Sequence, residues 1–264
     1  MSTLLNSEPF LRAGAFLLVL FAMMTWELFA KRRPQMLPRS KRWPANLLLV
    51  VINNAIVRLM FPVAAVGAAV YAQDLRWGVF NIVMLPGWVV FILSMLVLDA
   101  AIYFQHRIFH RLPWLWRIHR VHHADQEFDV TTALRFHPLE ILLSMAIKIA
   151  VIMMLGAPPI AVIVFEIVLN ATAMFNHGNV QLTAKADRYL RMFLVTPDMH
   201  RVHHSVIPQE TNSNFGFNLP WWDRLFGTYR DQPEHGHTRM TIGLKEYRTE
   251  QDQQLARMLK QPFY

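Results

Sequence analysis

The sequence predicts an all-α, multi-pass membrane protein with about four transmembrane helices and a cytoplasmic helical cap that carries clustered histidines. Apolar residues make up 54% of the 264 residues and occur in long blocks. Charged residues make up only 17%, whereas soluble domains contain about 25%. Most of the 12 histidines lie in short clusters just beyond the ends of the apolar blocks. This arrangement predicts that a histidine-containing functional site lies at a membrane surface.

Four apolar blocks have lengths that suit membrane crossing, which takes about 20 residues. They cover residues 10–30, 46–72, 79–104 and 139–175. The last block is broken at Gly156, and its halves of about 17 residues are near the lower limit for a crossing. We expect these halves to form a helical hairpin. The first block lacks a basic segment before it and is expected to be a retained span.

The orientation follows from a basic segment after the first block, because basic loops stay in the cytoplasm. Six of the twelve residues from Lys31 to Arg42 are basic. The later spans then bring residues 105–137 and 176–264 to the same cytoplasmic face. The net charge of +8 suits an anionic membrane better than nucleic acid, because the bases flank spans. A bacterial inner membrane is the expected location, or the endoplasmic reticulum in a eukaryote.

The clustered histidines predict a metal site. The chain has no cysteine, so any metal must be held by His, Asp or Glu. Residues at i, i+3 and i+4 share a helix face, so each cluster can direct its imidazoles at one point. Pro113 separates the first two clusters and predicts a bend between two helices. The clustered residues are His106, His110, His119, His122, His123, His200, His203 and His204.

Eight imidazoles exceed the four ligands of a tetrahedral zinc ion and suit two metal ions. Imidazole binds iron, zinc and copper alike, so the spacing leaves the metal open. Contact with lipid headgroups is an alternative role for these histidines, but it does not explain the repeated HxxHH spacing. The spacing therefore favours a two-metal site.

Six motifs resemble the fatty acid hydroxylase superfamily on its sterol desaturase side. They are QHRIFHR, HRVHHAD, TTALRFHPLE, FNHGN, TPDMHRVHHS and NFGFNLPWWDRLFGTY, and the resemblance covers residues 90–230. It implies a non-haem diiron site, with zinc as a substitute, O2 as the oxidant, and lipid substrates such as sterols, fatty acyl chains, carotenoids or alkylglycerols. By position it implies that the eight clustered histidines and His177 are ligands. His137 is implied as a ligand or as the partner of one.

Asp99 and Tyr103 are expected to be catalytic, because on a helix they share a face with His106 and His110. An acid inside an apolar block is costly and usually functional, so Asp99 could orient a ligand imidazole. Alternatively, its carboxylate reaches interfacial water at the helix end.

Four weaker expectations concern other polar and aromatic positions. Glu140 could orient His137 or cap the next helix, and Asp223 could hold a ligand or a loop. Residues 184–195 are expected to form an amphipathic interfacial helix. His235 and His237 lie outside the histidine clusters and are expected to be ordinary surface residues.

The predicted function is O2-dependent hydroxylation or desaturation of a lipid at a histidine-coordinated diiron centre. No flavin, haem or iron–sulfur motif is visible, so electrons would come from a separate electron-transfer protein. The alternatives are a membrane zinc hydrolase and a metal-binding or transport protein. HRIFH lacks the glutamate of HExxH, and transport sites usually lie near the bilayer midplane.

Three regions are predicted along the chain. Residues 1–89 form an N-terminal transmembrane region, residues 90–230 a catalytic domain and residues 231–264 a polar tail. The lipid, the oxidised carbon, the electron donor and the oligomeric state are not specified by the sequence.

Overall fold

A computed structural model describes residues 2–264 and confirms the all-α architecture, with 69% helix. Over these residues there is no strand, and β-type pairing is limited to the isolated bridges Lys31–Val180 and Ser205–Ile242. The helices up to the hairpin are α1 Ser2–Phe29, α2 Arg39–Met60, α3 Ala64–Asp74, α4 Val79–Ile82, α5 Gly87–Arg111, α6 Pro113–His123, α7 Pro138–Leu155 and α8 Pro159–Asn176. The later helices are α9 Ala184–Leu190, α10 Pro197–His203, α11 Pro208–Thr211, α12 Trp221–Leu225, α13 Gly236–Arg239 and α14 Leu255–Lys260.

Five helical segments of the described chain are long and apolar enough to cross a membrane, compared with the expected four or so. They are Ser7–Phe29, Arg39–Ile82, Gly87–Arg111, Pro138–Leu155 and Pro159–Asn176. The difference arises from the hairpin, whose two helices have 18 residues each and so reach the minimum length for a crossing. The protein is thus an integral membrane protein.

The α7–α8 hairpin turns at Gly156, as the sequence predicts. Gly156 has φ +67°, a left-handed conformation that favours glycine, and Pro159 begins α8. A Cβ atom here would lie 2.5 Å from Asn81 Nδ2 and 2.8 Å from the Trp77 carbonyl oxygen. Backbone conformation and close packing therefore both require glycine at this turn.

Small residues allow close helix packing around α8. Ala65, Ala69 and Ala157 are buried in one cluster with Leu98 and Phe165, which joins α3 and the hairpin to α5. Small side chains let helix backbones approach each other in membranes. The packing fixes the middle of α5, the helix that carries the first histidine cluster.

The first two helices are tied to the cap by buried charges. Glu27, at the end of α1, accepts hydrogen bonds from the backbone nitrogens of Val130 at 2.7 Å and Asn179 at 2.9 Å. Arg39 donates to the other oxygen of Glu27 at 2.9 Å. Glu27 is fully buried, so this bonding satisfies a carboxylate that would otherwise be costly.

Arg42, on α2, forms a second buried connection to the segment after the second histidine cluster. Its guanidinium binds both oxygens of Asp125, at 2.6 and 2.7 Å, and Asp129 at 2.7 Å. Burial would raise the pKa of Asp125, but Arg42 outweighs burial and holds that pKa below its ordinary value. The charged pair therefore fixes the segment that leaves α6.

The C-terminal residues fold against α2 and α6. Met258 is buried with Ala45, Leu49 and Val121. The side-chain amide of the buried Gln253 donates to the Ala124 carbonyl at 3.1 Å. The region expected to be a polar tail therefore covers the helix that carries the second histidine cluster.

Candidate metal centre

Nine buried or half-buried histidines form two adjacent groups, each able to hold a metal ion. Within each group every ring offers one nitrogen, and these nitrogens all lie within 4.8 Å of one another. The first group comprises His106, His110, His119, His123 and His203. The second comprises His122, His177, His200 and His204. The structure thus brings together all eight histidines of the predicted clusters and also His177.

The second and third clusters are each divided between the two groups. On α6, His119 and His123 belong to the five-histidine group, while His122 belongs to the four-histidine group. In the third cluster, His203 joins the five-histidine group and His200 joins the other. Each of these two clusters therefore contributes histidines to both groups.

Hydrogen bonds fix the orientation of three rings. The Nδ1 atoms of His106, His177 and His203 donate to the backbone oxygens of Phe215, Ala173 and Ser213, at 2.8, 2.7 and 2.7 Å. Donation from Nδ1 leaves the lone pair on Nε2. Metal-binding histidines are commonly oriented in this way by their other nitrogen.

Glu140 fixes a fourth ring. The Nδ1 atom of His119 donates to Glu140 Oε1 at 2.7 Å, and both side chains are buried. The sequence suggested that Glu140 orients His137 or caps the next helix, but its carboxylate bonds to His119 on α6 instead. A carboxylate makes the imidazole a better electron donor to a metal.

We expect Glu140→Ala to weaken metal binding by about 10- to 100-fold, because such partners typically contribute that much. Metal retention during titration with a chelator measures the effect. His137→Ala is the matched control, since His137 lies at the start of the same helix and outside both groups. Equal metal retention by Glu140→Ala and the unaltered protein would contradict this role.

The buried ring nitrogens support metal binding. The Nε2 atoms of His123 and His203 are buried without a hydrogen-bond partner, and in His204 neither ring nitrogen has one. Buried polar atoms are rarely left unpaired, and bonds to metal would satisfy such nitrogens. The donor set therefore fits two metal ions with nitrogen-rich coordination.

Burial also keeps the imidazoles neutral, which metal binding requires. Removal from water lowers the pKa of His203 to about 3 and that of His177 to about 4. The same cause holds the pKa values of His122, His200 and His204 well below the ordinary value. At neutral pH these rings have lone pairs available.

Aromatic side chains enclose most of the centre. Phe136 stacks on His122 with ring centroids 4.4 Å apart, and Phe217 lies 5.2 Å from His106. His110 is the half-exposed member of the groups. It lines a cleft of about 210 Å³ together with Trp116 and Lys245. Water is therefore limited around most of the rings, with one approach beside His110.

Asp99 and Tyr103 bond to the segment 219–228. Asp99 Oδ2 accepts a hydrogen bond from Trp222 Nε1 at 2.8 Å, and the Tyr103 hydroxyl lies 2.8 Å from Thr228 Oγ1. In the described structure their polar atoms are not bonded to an imidazole. Their contacts are those of residues that hold a loop beside the centre, and a catalytic role stays a prediction.

Asp223 holds the loop that orients His106. Its two oxygens accept hydrogen bonds from the backbone nitrogens of Phe215 at 2.8 Å and Gly216 at 2.9 Å. Phe215 in turn accepts from His106. Of the two expected roles, the structure favours the loop.

The other three histidines lie outside both groups. His137 caps α7, where its Nδ1 accepts a hydrogen bond from the Leu139 backbone at 3.2 Å, and its Nε2 lies 3.2 Å from the Leu259 carbonyl oxygen. His235 is exposed. His237 is buried and bonds to the Gln232 side chain at 3.1 Å, so the surface position expected for it is wrong.

The described chain combines helices able to span a membrane with two histidine groups that could each hold a metal ion. Residues 91–228, just over half of the chain, match the family model described as fatty acid hydroxylase. The chain belongs to the fatty acid hydroxylase family.

Curated relatives include bacterial and animal proteins. The chain is 31% identical over 151 residues to ornithine lipid hydroxylase OlsE from Rhizobium tropici, covering 57% of this chain and 45% of the relative. It is 29% identical over 161 residues to alkylglycerol monooxygenase from Danio rerio, covering 60% and 35%. It is 25% identical over 144 residues to cholesterol 25-hydroxylase from Rattus norvegicus, covering 54% and 47%.

The chain thus spans less than half the length of these three relatives. No solved structure matches the chain.

Proposed function

We propose that this protein is an O2-dependent lipid hydroxylase with a histidine-held diiron centre. The observation that carries the proposal is the pair of buried imidazole groups at the C-terminal end of α5, in a chain of the fatty acid hydroxylase family. The three relatives named above are a lipid hydroxylase, a monooxygenase and a sterol hydroxylase. Their names favour hydroxylation over desaturation.

The proposed ligands are the nine grouped histidines. Two iron ions bound there would activate O2 for insertion of one oxygen atom into a C–H bond. The second oxygen atom leaves as water, so the reaction consumes two electrons and two protons from a separate reductant.

The chain's own residues provide orientation and exclusion of water. Glu140 and the backbone oxygens of Phe215 and Ser213 hold the rings in place. Phe136 and Phe217 pack against the rings of His122 and His106 and limit the access of water to them. A dry site favours controlled oxidation, because water does not intercept reactive species.

The substrate is proposed to be a membrane lipid that reaches the site from the bilayer. The first histidine cluster lies on the last two turns of α5, a helix long and apolar enough to span. The hydrocarbon chain of a lipid that extends from the bilayer along this helix would therefore reach the imidazoles. The basic segment from Lys31 to Arg42 supports a cytoplasmic location for this face.

Isotope labelling tests the reaction. Iron-loaded protein supplied with a reductant, membrane lipid extract and 18O2 is expected to give a lipid heavier by one 18O atom. Label supplied as H2 18O should not enter that product. Lipid turnover that continues unchanged without O2, or that needs only zinc, would contradict the proposal and favour a hydrolase.

A further inference from the structure

An exposed apolar surface lies outside the five candidate spans. Six of its side chains, which we call the platform, come from α9, α12 and the residues just after them: Tyr189, Met192, Phe193, Trp221, Leu225 and Phe226. Phe193 is 62% exposed and Leu225 70% exposed. Contiguous apolar surfaces of this kind mark sites of contact with a partner or a membrane.

Hydrogen bonds join the two short helices into one surface. Trp221 Nε1 donates to the Met192 carbonyl at 2.7 Å, and Arg224 donates to the Arg191 carbonyl at 3.0 Å. Arg191 is itself buried and bonds to the Asp231 side chain at 2.8 Å. The platform is therefore held as a unit.

The platform is continuous with the lipid-facing surface of α5. The ring of Phe226 lies 4.9 Å from Phe104 and 5.6 Å from Tyr103, centroid to centroid. Phe104 is 40% exposed and belongs to a candidate span. Trp222, beside the platform, donates to Asp99, near the middle of the same span. The apolar surface thus continues from the span onto the cap through these ring contacts.

Exposed bases accompany the apolar side chains. Lys185 and Arg188 on α9 and Arg224 on α12 are exposed. Aromatic and aliphatic side chains together with lysine and arginine are typical of elements that lie in the membrane interface. Such bases interact favourably with anionic lipid headgroups.

We propose that the platform is embedded in the bilayer leaflet on which the histidine groups lie, with its bases among anionic headgroups. Its partner is thus a lipid surface rather than another protein. The inference rests on the membrane-spanning helices and is independent of the proposed reaction. It places α12, which contacts the histidine-bearing helix, at the depth of the lipid acyl chains.

Site-directed spin labelling tests the proposal. The chain has no native cysteine, so each introduced cysteine is the single site of labelling. Phe193→Cys and Leu225→Cys place labels on the two halves of the platform. Ile92→Cys, at an exposed position on α5, is the lipid reference, and Glu246→Cys, at an exposed cap position, is the water reference. The full-length protein is placed in bilayers containing anionic lipid, and collisions of each label with O2 and with a water-soluble nickel chelate are measured.

The platform labels are expected to resemble the lipid reference, with frequent O2 collisions and few nickel collisions. Nickel collisions as frequent as at position 246 would overturn the proposal in favour of a solvated surface. Shielding from both reagents would overturn it in favour of a protein partner or a second copy. An error in the span assignment would instead appear at position 92. The two platform variants are independent, so one that does not fold leaves the other as the test.

Discussion

Replacing His123 or His204 with alanine is expected to abolish lipid oxidation and to lower the metal content from about two ions per chain to about one. His123 belongs to the five-histidine group and His204 to the four-histidine group. Each substitution removes a ligand from a different ion, and a dinuclear reaction needs both. Elemental analysis of the purified variants, together with the labelled-product assay, measures the two effects.

The matched control is His235→Ala, since His235 is exposed and lies outside both groups. This variant should keep full metal content and activity. Loss of activity in His123→Ala with both metals retained would show that His123 is not an essential ligand. Loss of both ions from either variant would show that the two groups bind metal cooperatively.

Replacing Arg42 with glutamine is expected to lower the free energy of unfolding by about 3–5 kcal/mol, the usual effect of removing one partner of a buried ion pair. The side chains of Arg42, Asp125 and Asp129 are fully buried, so the variant leaves two carboxylates without their cation. The midpoint of denaturant unfolding in detergent measures the change.

Lys41→Gln is the control for the neighbouring position. Lys41 pairs with Glu250, and both side chains are 52% exposed, so the change should be below about 1 kcal/mol. Adding Asp125→Asn and Asp129→Asn to Arg42→Gln should recover part of the lost stability, because no unpaired charge then stays buried. An Arg42→Gln variant as stable as Lys41→Gln would contradict a structural role for this pair.

The membrane architecture could be predicted because apolar blocks and the turn at Gly156 are local features of the sequence. Histidine spacing on helices similarly predicted that the clusters meet. The division of the second and third clusters between the two histidine groups could not be predicted, because spacing places His119, His122 and His123 on one face of α6. Which ring contacts which group depends on how α10 and the end of α8 pack against that face.

Contacts between residues that are distant in the sequence could not be predicted from local patterns either. Arg42 and Asp125 are 83 residues apart, and the segment after the second cluster has no periodicity that reveals which residues are buried. For Glu140 the sequence offered only local roles, orienting His137 or capping the next helix, whereas its partner is His119, 21 residues away. The buried role of Glu27 could have been noticed from the sequence, since an acid within an apolar block is unusual.

Because the second and third clusters each contribute histidines to both groups, neither group can form from the first part of the chain alone. The five-histidine group needs His203, and the four-histidine group needs both His122 and His204. Neither group is complete until the α7–α8 hairpin, α10 and His204 have been synthesised. A metal ion that needs a complete group can therefore bind only after α10 has been made, and a chain interrupted within the hairpin has no complete group.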